Sequence, residues 1–401
     1  MISVDTALRI ILKNVAAPET EKIKLPSALN RILAEEIIAP DPFPSFTCSS
    51  IDGFAVRASE LQHLTGKDTV TLTVAGVSGP GNPFDAETKK GESVQVMTGA
   101  MIPKGLDSVV PMDDVIARDD EKATFSASVE RGLNIKKTGE EIRKGDRVLR
   151  EGALLTPPAI GMLATFGYTK LKVYETPTVN IMATGDELVD YDVVVQPGQV
   201  RNSTSPALAA YVQSDGGIPT LVGIAPDRKK KIRRKIAEGL DGDLLVITGG
   251  SSVGKFDYVR KTLQDIDAEI LFSNVNMKPG RPALFGRVGT VPVFGLPGNP
   301  VSTIITYLQF VRPAMHILSG RTYTPPFSLR ARLEHEMVNP EGRRHYVAAS
   351  VEQRDGAMYV KSAGAQNPYA MTSLLKANCL MILHESVKHF KKHSEVKIEM
   401  L

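Results

Sequence analysis

Val179-Asn-Ile-Met-Ala-Thr184-Gly-Asp-Glu187 and Asp243-Leu-Leu-Val-Ile-Thr248-Gly-Gly250-Ser-Ser252 decide the fold of this chain. Each is a short, nearly continuous apolar run ending at a glycine turn, the pattern of a strand buried on both faces. Between the two lie a helical stretch from Ser205 to Ser214 and a second strand, Thr220-Leu-Val-Gly-Ile-Ala225. A helix follows with Ile232, Ile236 and Leu240 on one face and Asp227 as its expected cap. Downstream, Asn299-Pro300 opens a long helix, with Asn as N-cap and Pro in the first turn. Strands alternating with helices predict an α/β domain over 177–325, its parallel sheet covered on both faces.

The flanking sequence differs in texture. Val4, Ala7, Leu8, Ile11 and Leu12 keep helical spacing after Ser3, a suitable N-cap, with Asp5 in the first turn. Residues 25–36 read as a second helix, stopped by Ala39-Pro-Asp-Pro-Phe-Pro44. From 46 to 138, runs such as Thr71-Leu-Thr-Val and Ser93-Val-Gln-Val alternate with turns such as Ser78-Gly-Pro-Gly-Asn-Pro83, which predicts a β-rich domain. Helical texture from Val148 to Leu171 makes that part an insertion into a helical N-terminal region comprising 1–45 and 139–176. After Pro326 only strands are expected, as a small C-terminal β-barrel over 326–401.

Ligands of open α/β sheets bind beyond the carboxyl ends of the strands, and three motifs fall there. Asp186 and Glu187 follow the first strand, where they would either cap a helix or hold a hydroxyl, an amine or Mg²⁺. Gly249, Gly250, Ser251 and Ser252 follow another and offer N–H and hydroxyl donors to a phosphate; Asp257 adds an acid. Walker spacing and GxGxxG are both missing there, which argues against a P-loop and a dinucleotide fold. Lys278 and Arg281 sit in Met277-Lys-Pro-Gly-Arg-Pro282, rigid enough to present two cations to an oxyanion, near the Pro297-Gly-Asn299-Pro turn and its helix N-terminus. In the β-rich region, Asp52 lies in Ser49-Ser-Ile-Asp-Gly53 and Thr98 in Met97-Thr-Gly-Ala100.

Several classes of function are disfavoured. The 48 basic and 45 acidic residues nearly balance, so no polyanionic partner is expected. The basic run 228–235 carries Ile232, which makes it a helix with a solvated face rather than a nucleic-acid site. The two cysteines, Cys48 and Cys379, are too few for a disulfide framework and fit the reducing cytoplasm. No apolar run approaches the roughly 20 residues of a membrane helix.

In order along the chain, SSIDGFAVR, MTGAMIP, ATGDELV, TGGSSVGKFDY, MKPGRP and FGLPGNPVS resemble the molybdopterin molybdenumtransferase family, which includes the E domain of gephyrin. The resemblance implies a homodimer of four-domain subunits, with the active cleft between the α/β domain of one subunit and the β-rich domain of the other. It implies that adenylylated molybdopterin and molybdate give molybdenum cofactor, AMP and water, assisted by Mg²⁺. On that basis Asp257, Glu187 and Asp52 are expected to be catalytic and metal-holding, and Thr98 catalytic. Gly249, Gly250, Ser251, Ser252, Asp186, Lys278, Arg281, Pro297 and Asn299 are expected to bind substrate. A molybdopterin adenylyltransferase and recipient molybdoenzymes are the implied partners. Three positions depart from the family pattern: Glu141 stands for an Asp, Ala348 for an Arg, and Asn367-Pro368 for a Gly-Ser. These leave a rival reading, a catalytically weak paralogue that holds molybdopterin or scaffolds other proteins.

Overall fold

The computed structural model describes residues 1–65, 68–249, 258–367 and 369–401. They form two compact units, one of Met1–Glu35, Gly152–Ile160 and Thr169–Leu401, the other of Glu36–Glu151 and Gly161–Tyr168.

The first unit contains the α/β sheet the sequence predicts, with six strands and not parallel throughout. Its order is Ile218–Ala225, Thr178–Thr184, Leu244–Thr248, Val291–Leu296, Leu284–Val288 and Glu269–Phe272. The first four strands run parallel, Leu284–Val288 is antiparallel to both its neighbours, and Glu269–Phe272 returns to the direction of the first four. Alternate side chains serve opposite faces, as the two-residue strand period requires. Val179, Ile181, Leu244 and Val246 pack with Leu208, Val212 and the helical stretch 300–318 on one side. Met182, Leu245 and Ile247 pack with Ile232, Ile236, Val259 and Leu263 on the other. Strand order reverses at Thr178–Thr184, which has its successor on one side and Leu244–Thr248 on the other. The crevice beyond Thr184 and Thr248 is therefore the topological switch point where such sheets take ligands.

Helix Val4–Asn14 forms as expected: the Ser3 hydroxyl accepts from the Thr6 N–H at 3.1 Å, and Val4, Ala7 and Ile11 are buried. Residues 25–36 do not form the expected second helix. Only the 3-10 turn Leu25–Ser27 is helical, Asn30 takes φ 63, and Ile32 and Leu33 bridge to Leu154 and Val173. Pro26 removes a donor, Asn30 tolerates the left-handed conformation, and two adjacent apolar residues both buried fit extended chain better than a helix face. Residues 1–45 thus have one α-helix followed largely by short strands, and the second part of the N-terminal region, 139–176, adds the helix Pro157–Thr165.

The C-terminal strands close into a five-stranded barrel. Ser328–Leu333, Glu395–Met400, Cys379–Leu383, Arg344–Arg354 and Ala357–Ser362 pair in that circular order. Val347, Ala349, Val351, Met381, Leu383 and Ile398 fill its core. The strand Arg344–Arg354 also pairs in parallel with Met277–Lys278, placing His345 opposite Lys278. This junction joins the barrel to the basic loop.

The second unit is built on another six-stranded sheet. Its order is Ser108–Pro111, Gly53–Val56, Glu92–Val96, Val70–Ser78, Lys122–Phe125 and Val115–Arg118. Phe54, Leu72, Val110 and Phe125 form part of its core, with the Phe54 and Phe125 rings edge to face at 6.1 Å.

Candidate active site

At the switch point lies a cavity of about 480 Å³, lined by Glu187, Asn202, Thr204, Asp227, Thr248, Gly249, Pro297 and Asn299 among others. The turns approach so closely that side chains are excluded. Gly249 has φ +86, and a Cβ there would stand 2.2 Å from the Thr184 carbonyl oxygen. A Cβ on Gly185 would lie 2.6 Å from Glu187 Oε2, so the Glu187 carboxylate folds back over that glycine. Asp227 does not cap the following helix. The helix Lys229–Gly239 has Arg228 at its N-cap, and the Asp227 carboxylate instead accepts from Thr184 Oγ1 at 2.6 Å. Asp227 thus turns toward the cavity. Asp186 plays a supporting part: it accepts from the Asp227 N–H at 3.0 Å and braces one turn against the other. Asn299 occupies the N-cap position before Pro300 without a side-chain capping bond.

One wall was missed in the sequence. Asn202 donates from Nδ2 to Ser205 Oγ at 2.9 Å and accepts from Thr204 Oγ1 at 3.2 Å, while Thr204 and Thr248 hydroxyls stand 3.3 Å apart. The signal available was the polar run Arg201-Asn-Ser-Thr-Ser205, denser in capping residues than one helix start requires.

A second cavity of about 220 Å³ adjoins the first and shares Pro282 with it. The loop 277–282 forms one wall, and Arg343, His345, Ala348, Gln366 and Asn367 of the barrel region contribute to the other. Lys278 and Arg281 therefore share a cavity, and Arg343 joins them. Glu341 clamps two of these cations: Oε1 lies 2.7 Å from Lys278 Nζ and Oε2 3.0 Å from Arg343 Nη1. The Lys278 hydrogen bond holds the Glu341 carboxyl below its ordinary range despite slight desolvation. Ala348 and Asn367, two of the positions expected to depart from the family pattern, line this space directly; Gln366 donates from Nε2 to the Ala348 and Gly364 carbonyls at 3.2 and 2.9 Å.

Asp52 and Thr98 belong to the second unit, where the Thr98 N–H and Oγ1 both donate to Asp52 Oδ1, at 2.7 and 2.8 Å. These bonds, the backbone one first, hold the Asp52 carboxyl below its ordinary value, so it is ionised at neutral pH. Glu141, in the same unit, lies 3.5 Å from Lys136 Nζ. Gly250, Ser251, Ser252, Asp257 and Pro368 fall outside the described residues. Among the described residues no group of three His, Cys, Asp or Glu side chains could hold a metal ion, and no helix is long and apolar enough to cross a membrane.

Known proteins resemble this chain along its whole length. The family model described as MoeA N-terminal region (domain I and II) matches residues 2–167, that described as probable molybdopterin binding domain matches 180–317, and that described as MoeA C-terminal region (domain IV) matches 330–401. A protein from Haemophilus influenzae named molybdopterin molybdenumtransferase is 34% identical over 405 residues, covering 100% of this chain and 98% of its own length. One of the same name from Staphylococcus aureus is 32% identical over 401 residues, covering 99% and 95% respectively. The crystal structure of a molybdopterin biosynthesis MoeA protein from Pyrococcus horikoshii matches with a TM-score of 0.84 at 28% identity, covering 100% of both chains. The motifs, the domain models and the full-length relatives agree, and the chain belongs to the molybdopterin molybdenumtransferase family.

Proposed function

We propose that this chain is the transferase that joins molybdate to adenylylated molybdopterin, releasing AMP and water and yielding molybdenum cofactor, as a homodimer in the reducing cytoplasm. The adjoining cavities carry the reading: a space of about 480 Å³ at the sheet's switch point opens beside a smaller one bearing Lys278, Arg281 and Arg343. In this reading the larger space takes the pterin phosphate, against the Gly249 turn and the helix start at Asn299, where backbone N–H groups favour anions. The smaller space takes molybdate, Arg281 as a planar fork and Lys278 as a point charge. The partner's Asp52, held by the partner's Thr98, would complete the cleft. Delivery of the adenylate by a molybdopterin adenylyltransferase and hand-over to molybdoenzymes belong to the same proposal. Reduced, buried Cys48 and Cys379 suit that compartment.

Mg²⁺ fits the donor chemistry of the larger cavity. This ion is usually bound by one or two carboxylates plus substrate phosphates and water, and Glu187 and Asp227 line the space. Glu187 and Asp257, with the partner's Asp52, would hold it. When bound, it supplies positive charge that offsets charge developing on the phosphate. Asp186 keeps the turn in place, and Thr184 keeps Asp227 oriented.

The test is AMP release from adenylylated molybdopterin with Mg²⁺, with and without molybdate. Molybdate-dependent AMP release is expected. Asp257→Ala should lower it by about a hundredfold or more, the scale of losing an electrostatic group from an active site; near-normal turnover would remove Asp257 from the mechanism. Because Ala348 and Asn367 replace family residues in the wall itself, the rival reading has an observation behind it. Adenylate binding with no AMP release at any molybdate concentration would establish the holding or scaffolding role instead.

Glu341 gives a further prediction. Its carboxylate competes with a bound oxyanion for Lys278 and Arg343. Two charges about 4 Å apart in water interact by about 1 kcal/mol, close to a fivefold change in affinity. Glu341→Gln should therefore tighten molybdate binding about fivefold in titration calorimetry. Unchanged or weaker binding would show that the carboxylate positions the cations rather than competing for them.

A further inference from the structure

His345 lines the smaller cavity, yet neither the motifs nor the catalytic reading uses it. It is only 9% exposed, and its Nδ1 is buried with no hydrogen-bond partner among the described residues. Buried polar atoms are nearly always paired, and an exception in a folded protein calls for an explanation. A packing role would be met more cheaply by an apolar ring, because an unpaired buried nitrogen is destabilising. A ring kept at that cost beside Lys278, Arg281 and Arg343 points to a ligand.

Its charge state suits the task. Burial first, and then the positive Lys278, push the imidazole down to about 4, opposed by Glu341. The ring is thus uncharged at neutral pH and carries one N–H and one lone pair. From the neighbouring barrel strand Cys379–Leu383 the one titratable side chain is Cys379, whose thiol burial pushes up to about 12. Arg344, next along the strand, is committed to Asp5 and Glu385. The three cavity cations less the Glu341 carboxylate leave a balance that suits a dianion. A neutral donor adds a hydrogen bond without disturbing it.

We propose that His345 is an oxyanion-binding residue of this cavity, donating from its neutral ring to the anion that Lys278, Arg281 and Arg343 attract. The proposal rests on the assignment of the cavity to molybdate and names a residue that orients it. Point-like ammonium attraction alone does not fix a tetrahedral anion's rotation, whereas a directed N–H does. The Ala348 side of the wall is short, and the imidazole supplies polarity where the strand otherwise presents small or apolar groups.

The experiment is titration of the full-length protein with sodium molybdate at pH 7.5, alongside His345→Phe, His345→Gln and Lys278→Ala, with a thermal melt of each. His345→Phe should weaken binding about tenfold while melting no lower than the parent, and His345→Gln, which keeps an N–H, should recover most of the affinity. Equal molybdate affinity in His345→Phe overturns the proposal, as does a drop in its melting temperature that His345→Gln shares with no loss of binding. A second readout is independent of variant folding. In protein labelled with ¹⁵N at its seven histidines, molybdate should shift the ring resonance absent from His345→Gln, and an unmoved resonance overturns the proposal. If instead the parent binds no molybdate, or Lys278→Ala binds as well as the parent, the assignment of the cavity fails rather than the role of His345 within it.

Discussion

Glu187→Gln is expected to lower molybdate-dependent AMP release by about two to three orders of magnitude while leaving the melting temperature unchanged, the scale seen when one preorganised electrostatic group is lost. The substitution keeps the shape of the side chain and removes its charge. Shape matters because the carboxylate rests over Gly185, 2.6 Å from where a Cβ would stand, so residue 187 is fixed in direction by its own turn. Charge matters because Glu187 is the acid that the switch-point cavity shares with Asp227, and Asp227 is already occupied by the Thr184 hydroxyl at 2.6 Å. Binding of the adenylate should change much less than turnover, since in the proposed reading phosphate recognition falls to backbone N–H groups. Turnover within about threefold of the parent would remove Glu187 from the chemistry. A large loss of melting temperature together with activity would assign it to the turn.

Asp215→Ala should cost the first unit about 2–3 kcal/mol, the upper range for leaving a buried donor unsatisfied, because Arg312 is only partly buried. Asp215 ends the helix Thr204–Ser214 and is 9% exposed. It accepts from the Tyr307 hydroxyl at 2.8 Å and from Arg312 Nε at 3.0 and 3.1 Å. Tyr307 is fully buried, so its hydroxyl would be stranded away from water, while the Arg312 side chain, 26% exposed and 5.6 Å from the Tyr211 ring centroid, would keep part of its hydration. Burial foremost, and then the Asp215 charge, raise the Tyr307 hydroxyl above its ordinary range, so it stays a donor. Asp215→Asn should be milder, because an amide oxygen still accepts from Tyr307 while Arg312 loses its counter-charge. Urea unfolding followed by near-ultraviolet absorption would measure both. A loss under about 1 kcal/mol for the alanine variant would mean that solvent reaches Arg312 and replaces the carboxylate.

How much of this was legible without coordinates depends on how far apart the cooperating residues lie in the chain. The α/β sheet was legible because its signals are local: apolar runs such as 179–183 and 244–247 ended by glycine, with amphipathic helices between them. The helix Val4–Asn14 and its Ser3 cap were legible for the same reason. Residues 25–36 misled because helix-favouring side chains occur there in number, while the outcome turned on Pro26, on the left-handed Asn30 and on pairing with Leu154 and Val173. Tertiary pairing overrides local preference when both adjacent apolar residues gain burial from it. Asp227 misled similarly: an acid before a helix reads as a cap, but Thr184, at the end of a neighbouring parallel strand, offered a partner at 2.6 Å.

By itself the sequence determined the sheet, the barrel strands, the motif turns and the family, since each depends on residue type and short-range spacing. It also singled out Glu187, Gly249, Lys278, Arg281, Pro297 and Asn299, which line the two adjoining cavities. Only the tertiary structure decided that the barrel shares a wall with the basic loop, through the parallel pairing of Met277–Lys278 with Arg344–Arg354. That pairing brings Arg343, His345 and Ala348 to Lys278 and lets Glu341 clamp it. The reason is physical: a strand's register and the charges it carries to a distant loop are set by sheet hydrogen bonds and barrel closure, which leave no periodic trace in either segment alone.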